Sequence, residues 1–556
     1  MKTTTLFALA VAVAACGAPH RGTGTGDDSG SADSGPGSGG PGPTTIPPDC
    51  ATAVMDHSSV GCEYYAVDMD AAMGPPQDAC FAVFVANTSD KPVHIQSQWN
   101  GQELDLSKYA KLPVGTGMSL TYGAYDPAAG LAPGKVAILF LAYFQRFSEP
   151  PQPACPVPAA IGDDAQMNGT GIGRAFHIAT DQPVVAYQML PYGGGDAAAT
   201  GASLLLPTSS WGTNYVAVSA YDPLPAQVPP ININVGGPSH NFVASVENTT
   251  VTVTPIAAIS AGGDLPAGAA GAPYNVTLHR GEYLQLTQSL GLSGSTVQAD
   301  QPIGAFGGHQ IMGIDRCCGD HGEQMLAPVQ ALGAEYVAAP HGMRDNAPET
   351  HIYRIFGAVD GTQLSYEPAG VGPATIDKGK FVEIRTDSPF VVRSQDSDHP
   401  FSAFTYMTGG GDPQGSGAAY GTATGDPDFV RLVPPLQYLS HYVFFTDPTY
   451  PFTQLTVVRQ QHAGVFADVK LACMSGPITD WVPVGAGGTY EIAFVKIADA
   501  WASQNGCNNG VQVMDSDYPF GVWVWGWGDV ATKTESVSYG YPAGENVLPI
   551  NNVIIQ

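Results

Sequence analysis

The chain has 556 residues, and its composition excludes some classes of partner. Aspartate and glutamate outnumber lysine and arginine by 49 to 21, which gives a formal charge of −28. Because such a charge repels a phosphate backbone, we expect no nucleic-acid partner. The chain contains 68 glycines and 47 prolines, and only 13% of its residues are charged. This composition favours short strands separated by many turns.

The first residues have the pattern of an export signal. The apolar run from Leu6 to Ala15 is too short to be a permanent membrane span. It ends at Ala15-Cys16, which matches the lipobox of bacterial lipoproteins, in which the cysteine becomes the lipid-modified N-terminus. We therefore predict a signal peptide over residues 1–15, lipidation of Cys16 and anchoring in the bacterial cell envelope. Gly17 stands where some lipoproteins carry an aspartate for inner-membrane retention, which favours the outer membrane and the cell surface.

The segment 16–49 consists mainly of Gly, Ser, Asp, Thr and Pro. It cannot bury enough apolar surface to offset the entropy cost of ordering. We predict a flexible tether here, followed by a folded region over residues 50–556.

The folded region contains an internal repeat. Four copies of Asp-x-Pro lead into apolar runs and are spaced by 119, 98 and 119 residues: Asp181-Gln182-Pro183, Asp300-Gln301-Pro302, Asp398-His399-Pro400 and Asp517-Tyr518-Pro519. A second element keeps the same phase, with a tyrosine eight residues after a proline: Pro207 and Tyr215, Pro328 and Tyr336, Pro434 and Tyr442. Because the aspartates recur regularly, we interpret them as turn residues at the entry of a strand, not as catalysts.

The rest of the pattern is that of an all-β protein. Short stretches rich in Val, Ile, Tyr, Phe and Thr are split by turn residues, and Asp360-Gly361 lies between alternating apolar residues as in a hairpin. We expect repeated antiparallel four-stranded meanders. The favoured architecture is a propeller-like assembly of seven or eight blades, in which the apolar stretch 547–555 pairs with an N-terminal strand. The alternative is a row of three or four tandem β-sandwiches.

Three segments carry a family resemblance: residues 176–219, 298–340 and 353–368. They resemble the IgGFc-binding protein N-terminal domain family, and the resemblance covers about residues 80–530. It implies an extracellular, non-enzymatic binding or adhesive role and brings no catalytic residues with it. The chain departs from the family pattern at Cys317-Cys318, which are adjacent where the family has spaced cysteines.

Eight cysteines remain when Cys16 is set aside. An even number in an exported chain favours disulfides. From proximity we predict a bond between Cys473 and Cys507 and pairs within the N-terminal four, while Cys317 and Cys318 form a vicinal bridge or pair elsewhere. The candidates are Cys50, Cys62, Cys80, Cys155, Cys317, Cys318, Cys473 and Cys507.

The densest polar cluster surrounds the adjacent cysteines. Histidine, cysteine and carboxylate side chains together can bind a metal, but no paired C-x-x-C spacing is present. We therefore expect no metal and no cofactor, and interpret the segment as a disulfide-pinned loop that can touch a partner. The residues of this candidate binding loop are His309, Asp320, His321 and Glu323.

Three tryptophans alternate with small residues near the C-terminus. In a strand, Trp523, Trp525 and Trp527 share one face. If exposed, the indoles form a platform for a sugar ring or a protein partner; otherwise they fill the core, which we favour.

Together these features predict a cell-surface lipoprotein with a non-enzymatic binding or adhesive role. Its partner would be an extracellular protein or glycan, and its specificity would lie in loops on a rigid β scaffold. Two alternatives stay open: a surface hydrolase acting on glycan or peptide, and a structural component of the envelope.

Overall fold

The computed structural model describes residues 46–72, 77–146, 153–195, 197–221, 236–315, 319–344, 349–410, 424–485, 487–535 and 537–556. The predicted signal peptide, Cys16, most of the tether and Cys317-Cys318 lie outside these ranges. Residues 41–556 form one compact unit. The helices of the described residues are short: α1 (Cys50–Asp56), α2 (Leu106–Tyr109) and the 3-10 helices η1 (Gly117–Ser119), η2 (Thr208–Ser210), η3 (Val329–Ala331) and η4 (Pro435–Gln437).

The strands are paired antiparallel and form four repeated units. The first unit contains β1 (Gly61–Ala66), β2 (Phe81–Asn87), β3 (Ile95–Trp99), β4 (Gln102–Glu103), β5 (Ala110–Val114), β6 (Thr121–Ala124), β7 (Val136–Ala142), β9 (Phe176–Leu190) and β10 (Gly201–Leu205). The second contains β8 (Gly171–Arg174), β11 (Gly212–Val216), β12 (Pro238–Ala244), β13 (Thr249–Thr254), β14 (Tyr274–Leu278), β15 (Glu282–Thr287), β16 (Thr296–Met312) and β17 (Asp320–Met325).

The third and fourth units repeat the same order. The third contains β18 (Glu335–Ala338), β19 (His351–Gly357), β20 (Thr362–Gln363), β21 (Ser365–Glu367), β22 (Thr375–Ile376), β23 (Phe381–Thr386), β24 (Phe390–Arg393), β25 (Phe401–Met407) and β26 (Asp428–Arg431). The fourth contains β27 (Leu439–Thr446), β28 (Phe452–His462), β29 (Val465–Phe466), β30 (Val469–Leu471), β31 (Val482–Val484), β32 (Tyr490–Asp499), β33 (Ala502–Ser503), β34 (Gly510–Trp527) and β35 (Ser538–Pro542).

Each unit has two main sheets. In the third unit they are separate, with β18-β24-β21 on one side and β23-β19-β25-β26 on the other, and β20 pairs with β22 in a further two-stranded sheet. In the other three units one long strand, β9, β16 or β34, belongs to both sheets. The all-β class is therefore confirmed. A propeller of seven or eight four-stranded blades is not confirmed, because the meanders combine in pairs into four sandwich-like units.

The Asp-x-Pro motif marks the place where the shared strand passes from one sheet to the other. Asp181, Asp300 and Asp517 lie inside β9, β16 and β34. The prediction that the motif begins a strand after a turn is therefore wrong in these units, because pairing continues on both sides of the proline. The aspartate instead serves a neighbouring strand, since Asp300 Oδ1 accepts a 2.8 Å hydrogen bond from the backbone N–H of Thr250.

The tyrosine of the second repeated element fastens this bend. In each unit its hydroxyl donates to the carbonyl of the residue that follows the Asp-x-Pro proline: Tyr64 to Val184 (2.7 Å), Tyr215 to Ile303 (2.7 Å), Tyr336 to Phe401 (2.7 Å) and Tyr442 to Phe520. The repeated tyrosine and the repeated Asp-x-Pro motif are thus the two partners of one hydrogen bond. In the first unit the tyrosine is Tyr64, which the repeated proline-to-tyrosine spacing did not identify.

The last strands of the four units lie side by side around a common axis. β10 contacts β17 and β35, and β26 contacts the same two strands. Gln324 in β17 donates from Nε2 to the carbonyls of Ala202 in β10 (2.9 Å) and Gly540 in β35 (2.8 Å). A buried amide therefore ties three of the four units at the axis.

The residues after β35 run across the ends of the units without regular secondary structure. The Val547 N–H donates to the carbonyl of His57 at 2.6 Å, and the Ile550 N–H donates to the carbonyl of Gln330 at 2.8 Å. The stretch 547–555 thus meets the beginning of the folded region, as expected, but it forms no strand there.

Candidate binding site

The four candidate residues of the predicted binding loop lie on strands. His309 lies in β16, and Asp320, His321 and Glu323 lie in β17, where all four are completely buried. They are buried because β17 is the last strand of the second unit and both of its faces are covered at the axis. These side chains are therefore not available to a partner in this structure.

Burial disfavours the charged forms of the groups at the axis. It lowers the pKa of His309 to about 3 and that of His321 to about 4. Burial, together with the charges of Asp426 and Asp428, raises the pKa of Asp320 well above its usual range. Asp320 Oδ2 accepts a 3.2 Å hydrogen bond from Ser538 Oγ in β35. The cluster therefore joins strands of different units and is part of the scaffold.

The three tryptophans do not form a surface platform. Trp523 and Trp525 are completely buried and Trp527 is 3% exposed. They belong to a buried apolar cluster that joins the third unit to the fourth. The three indoles therefore fill the core, which is the interpretation favoured from the sequence. Trp527 also borders a cavity.

The six cysteines among the described residues pair as proximity predicted. Their disulfides are Cys50–Cys62, Cys80–Cys155 and Cys473–Cys507. These three bonds stay within the first and fourth units.

A cavity of about 280 Å³ lies between the third and fourth units. On the third unit it is lined by Met343, Arg344 and Thr424. On the fourth unit it is lined by the beginning of β28, the end of β32, and the residues around the end of β34. Of its lining the sequence singled out only Trp527, because the other residues come from distant parts of the chain and no local motif marks them.

Arg344 forms the inner wall on the third unit. Its guanidinium donates to Glu349, to the carbonyl and hydroxyl of Thr408 (both 2.9 Å) and to the carbonyl of Thr424 (3.0 Å). All five N–H donors of the side chain are used. Burial alone would raise the pKa of Glu349, but the attraction of Arg344 and His341 outweighs it and sets that pKa at about 2. Arg344 therefore holds the wall together and has no donor left for a ligand.

The opposite wall combines aromatic rings with polar atoms that lack partners. Phe452 and Trp527 are stacked, with centroids 6.5 Å apart and planes inclined by 15°. Trp527 Nε1 and Gln454 Oε1 are buried and have no hydrogen-bond partner among the described residues. Gln454 is approached closely by Gly342, where a Cβ would lie 1.8 Å from Oε1. Neither atom is exposed to the cavity, so the half-buried ring of Phe452 is the apolar surface that this wall presents.

The rim of the cavity is charged and open to solvent. Lys496 Nζ lies 3.3 Å from Asp499 Oδ2, and these side chains are 46% and 43% exposed. Asp529 is half-buried and accepts at Oδ1 from the N–H (2.8 Å) and hydroxyl (2.6 Å) of Thr532. Met343 is 53% exposed.

A smaller cleft of about 90 Å³ lies between the first and second units. It is bordered by Tyr65, His177 and Arg280. His177 and Arg280 both contact Glu63 Oε1, at 2.9 and 3.2 Å. Because both side chains already contact Glu63, this cleft is the weaker candidate.

Among the described residues, no group of three or more His, Cys, Asp or Glu side chains has the geometry to hold a metal ion. No helix of the described residues is long and apolar enough to cross a membrane.

Comparison with known proteins places the chain in a family. The sequence model of the family described as "IgGFc binding protein" matches residues 201–526, which is more than half of the chain. The match begins at β10 and ends in β34, so it includes the second unit except β8, the third unit and most of the fourth. Neither the curated proteins nor the solved structures gave a match. The chain belongs to the IgGFc-binding protein family.

Proposed function

We propose that this protein is an exported binding protein of the bacterial cell surface, held in the envelope by a lipid on Cys16. It presents a rigid β scaffold to an extracellular protein or glycan and acts as an adhesion molecule. The observation that carries the proposal is membership of the IgGFc-binding protein family, which is a family of binding domains and not an enzyme class.

The covalent structure supports an extracellular location. Disulfides persist in oxidising compartments and are rare in the cytosol, and the described residues contain three. The apolar run before Cys16 and the Gly- and Ser-rich segment after it fit export, lipidation and a tether.

The carboxyl groups with strongly raised pKa do not favour the alternative of a hydrolase. Asp320, Glu323 and Asp428 have raised pKa values because they are completely buried. A carboxyl that serves as general acid must reach its substrate within hydrogen-bonding distance. In this structure these three groups serve the packing of the units.

The binding role is tested with residues 41–556, which form one compact unit, secreted into an oxidising compartment. The protein is titrated against immobilised immunoglobulin, mucin-type and envelope glycans, and envelope proteins; a heat-unfolded sample is the control. We expect saturable binding to one of these classes, with the bound molecule recovered chemically unchanged. Recovery of a cleaved ligand would support the hydrolase instead, and self-assembly without any bound ligand would support the structural component.

The anchor is tested separately. The change Cys16→Ala should release the full chain from the membrane fraction, whereas Ser29→Ala in the tether should leave it there. Equal membrane partition of both variants would refute lipid anchoring at Cys16 and would leave the binding role unaffected.

A further inference from the structure

We propose that the cavity between the third and fourth units receives a positively charged side chain, lysine or arginine, of an extracellular protein. The inference rests on the proposed binding function and specifies the chemistry of the partner and the place where it binds. The lining residues whose side chains are open to solvent include Phe452, Lys496, Asp499 and Asp529.

The size of the cavity suits one side chain. Pockets for small molecules enclose roughly 300–1,000 Å³. A volume of about 280 Å³ lies just below that range. It has room for one extended side chain but not for a folded loop, so the rest of the partner stays outside the rim.

The charged groups of the lining leave one uncompensated charge, and it is negative. Arg344 is paired with Glu349 inside the third unit. Lys496 Nζ lies 3.3 Å from Asp499 Oδ2 at the rim. Asp529 makes no ion pair with any described residue. The lining therefore favours a cation, which the formal charge of −28 on the whole chain also attracts.

The carboxylate of Asp529 is held in place and is open to a ligand. Its Oδ1 accepts hydrogen bonds from the N–H (2.8 Å) and the hydroxyl (2.6 Å) of Thr532, and its backbone forms a β-bridge with Thr424 of the third unit. Oδ2 has no hydrogen-bond partner among the described residues and, unlike Trp527 Nε1 and Gln454 Oε1, it is not fully buried. An ammonium or guanidinium group in the cavity can therefore donate to Oδ2, and such charge-assisted hydrogen bonds are the stronger ones.

The apolar part of the lining fits the stem of the same side chain. Phe452 is half-buried and pairs across the sheet with Trp527, two residues before Asp529. Lysine and arginine carry a charged end on an apolar stem, which can cover the ring of Phe452 while the charged end reaches Asp529. The face of the ring also attracts a cation. Met343, which is 53% exposed, offers a thioether to the stem from the third unit.

Lys496 opposes a cationic ligand, which gives the inference a second sign to test. Its ammonium occupies Asp499 and repels another positive charge at short range. Removing the charge of Lys496 should therefore strengthen binding, whereas removing the charge of Asp529 should weaken it. Because an acidic protein attracts cations everywhere, each substitution needs a control with the same change of charge outside the cavity.

The test uses secreted residues 41–556 and capped pentapeptides with one central residue between glycines: lysine, arginine, Nε-acetyl-lysine or glutamate. Binding is titrated by ligand-observed NMR at about 0.05 M salt, where screening is weak. The first pair of variants is Asp529→Asn, which keeps the acceptor for Thr532, and Asp264→Asn. The second is Lys496→Gln and Lys470→Gln. The control residues Asp264 and Lys470 are exposed and do not line the cavity.

We expect the lysine or the arginine peptide to bind, and the acetyl-lysine and glutamate peptides to bind at least about fivefold more weakly. Asp529→Asn should weaken binding about fivefold, the effect of one partly exposed ion pair. Lys496→Gln should strengthen it about twofold, and the two controls should change it by less than half of these effects. Should Asp529→Asn fail to fold, the lysine pair decides. Equal effects within each pair, or binding of acetyl-lysine as strong as that of lysine, would overturn the inference.

Failure of the inference and failure of the proposed function give different results. If neither cationic peptide binds, or if a bound extracellular protein is unaffected by Asp529→Asn, the site is refuted and the binding role stands on that protein. If the peptides bind as expected but no extracellular protein or glycan binds, the cavity is a cation site and the proposed function is refuted.

Discussion

The hydroxyl of Tyr336 donates a 2.7 Å hydrogen bond to the carbonyl of Phe401, the residue directly after the proline of the third Asp-x-Pro motif. The same hydroxyl accepts a 3.0 Å hydrogen bond from the backbone N–H of Gly333. Equivalent contacts fasten the bend in the other three units. One side chain therefore satisfies two buried backbone groups at the point where the two sheets of a unit meet.

Removing this hydroxyl should destabilise the protein. Tyr336→Phe leaves the carbonyl of Phe401 and the N–H of Gly333 without partners in a buried place, and each unsatisfied group costs about 1–3 kcal/mol. We expect the free energy of unfolding, measured with urea, to fall by about 2 kcal/mol or more. Tyr518→Phe, at a side chain that is 43% exposed, is the control and should change it by less than about 0.5 kcal/mol. Equal stability of the two variants would contradict the role of the contact.

The buried ion pair at the cavity wall should matter far more than the exposed pair at its rim. Glu349→Gln leaves the Arg344 guanidinium, whose side chain is 1% exposed, without its counter-charge. Breaking a buried pair costs about 3–5 kcal/mol, whereas an exposed pair contributes at most about 1 kcal/mol. Thermal and urea unfolding should therefore show a large loss for Glu349→Gln and a small one for Asp499→Asn. Similar losses in both variants would indicate that Arg344 does not hold the wall.

Asp70 should make a contribution to stability that is lost as the pH rises from about 4 to 7. Burial raises the pKa of this carboxyl to about 7, although it accepts from the N–H of Gly169 (2.8 Å) and from Gln310 Nε2 (2.9 Å). Between pH 4 and 7 the folded state keeps the proton and the unfolded state has lost it. Unfolding then releases a proton, so the free energy of unfolding decreases by up to about 1.4 kcal/mol per pH unit from this group.

The substitution Asp70→Asn removes this titration. In urea unfolding measured at several pH values over this window, the free energy of unfolding of Asp70→Asn should fall less with rising pH, or rise more, than that of the natural chain, by up to about 1.4 kcal/mol per pH unit. The exposed control Asp264→Asn should keep the slope of the natural chain. A slope that is unchanged in Asp70→Asn would show that Asp70 is ionised in the folded protein.

The disulfide of the fourth unit should stabilise the protein through its unfolded state. Cys473 and Cys507 are separated by 34 residues, for which loop closure predicts about 3–4 kcal/mol. The double change to serine should lower the free energy of unfolding by roughly this amount. Reducing agent should destabilise the natural chain further, because it also opens Cys50–Cys62 and Cys80–Cys155. A double variant as stable as the natural chain would contradict this contribution.

Local patterns in the sequence were enough for the fold class, the repeat and the Cys473–Cys507 pair. They were not enough for the bend at Asp-x-Pro, because a proline at a sheet corner and a proline at the start of a strand have the same neighbours in sequence. The position of Asp320 and His321 depends on four last strands meeting at an axis, which is a contact between units. The cavity combines Met343 with Asp529, and only the packing of the third unit on the fourth brings them together.

The most direct test of the account is equilibrium binding of secreted residues 41–556 to the panel of extracellular glycans, immunoglobulin and envelope proteins, with the ligand analysed after release. The account predicts saturable binding to a folded, disulfide-bonded protein and recovery of the ligand unchanged. Absence of binding across the panel, or chemical conversion of the bound molecule, would contradict it.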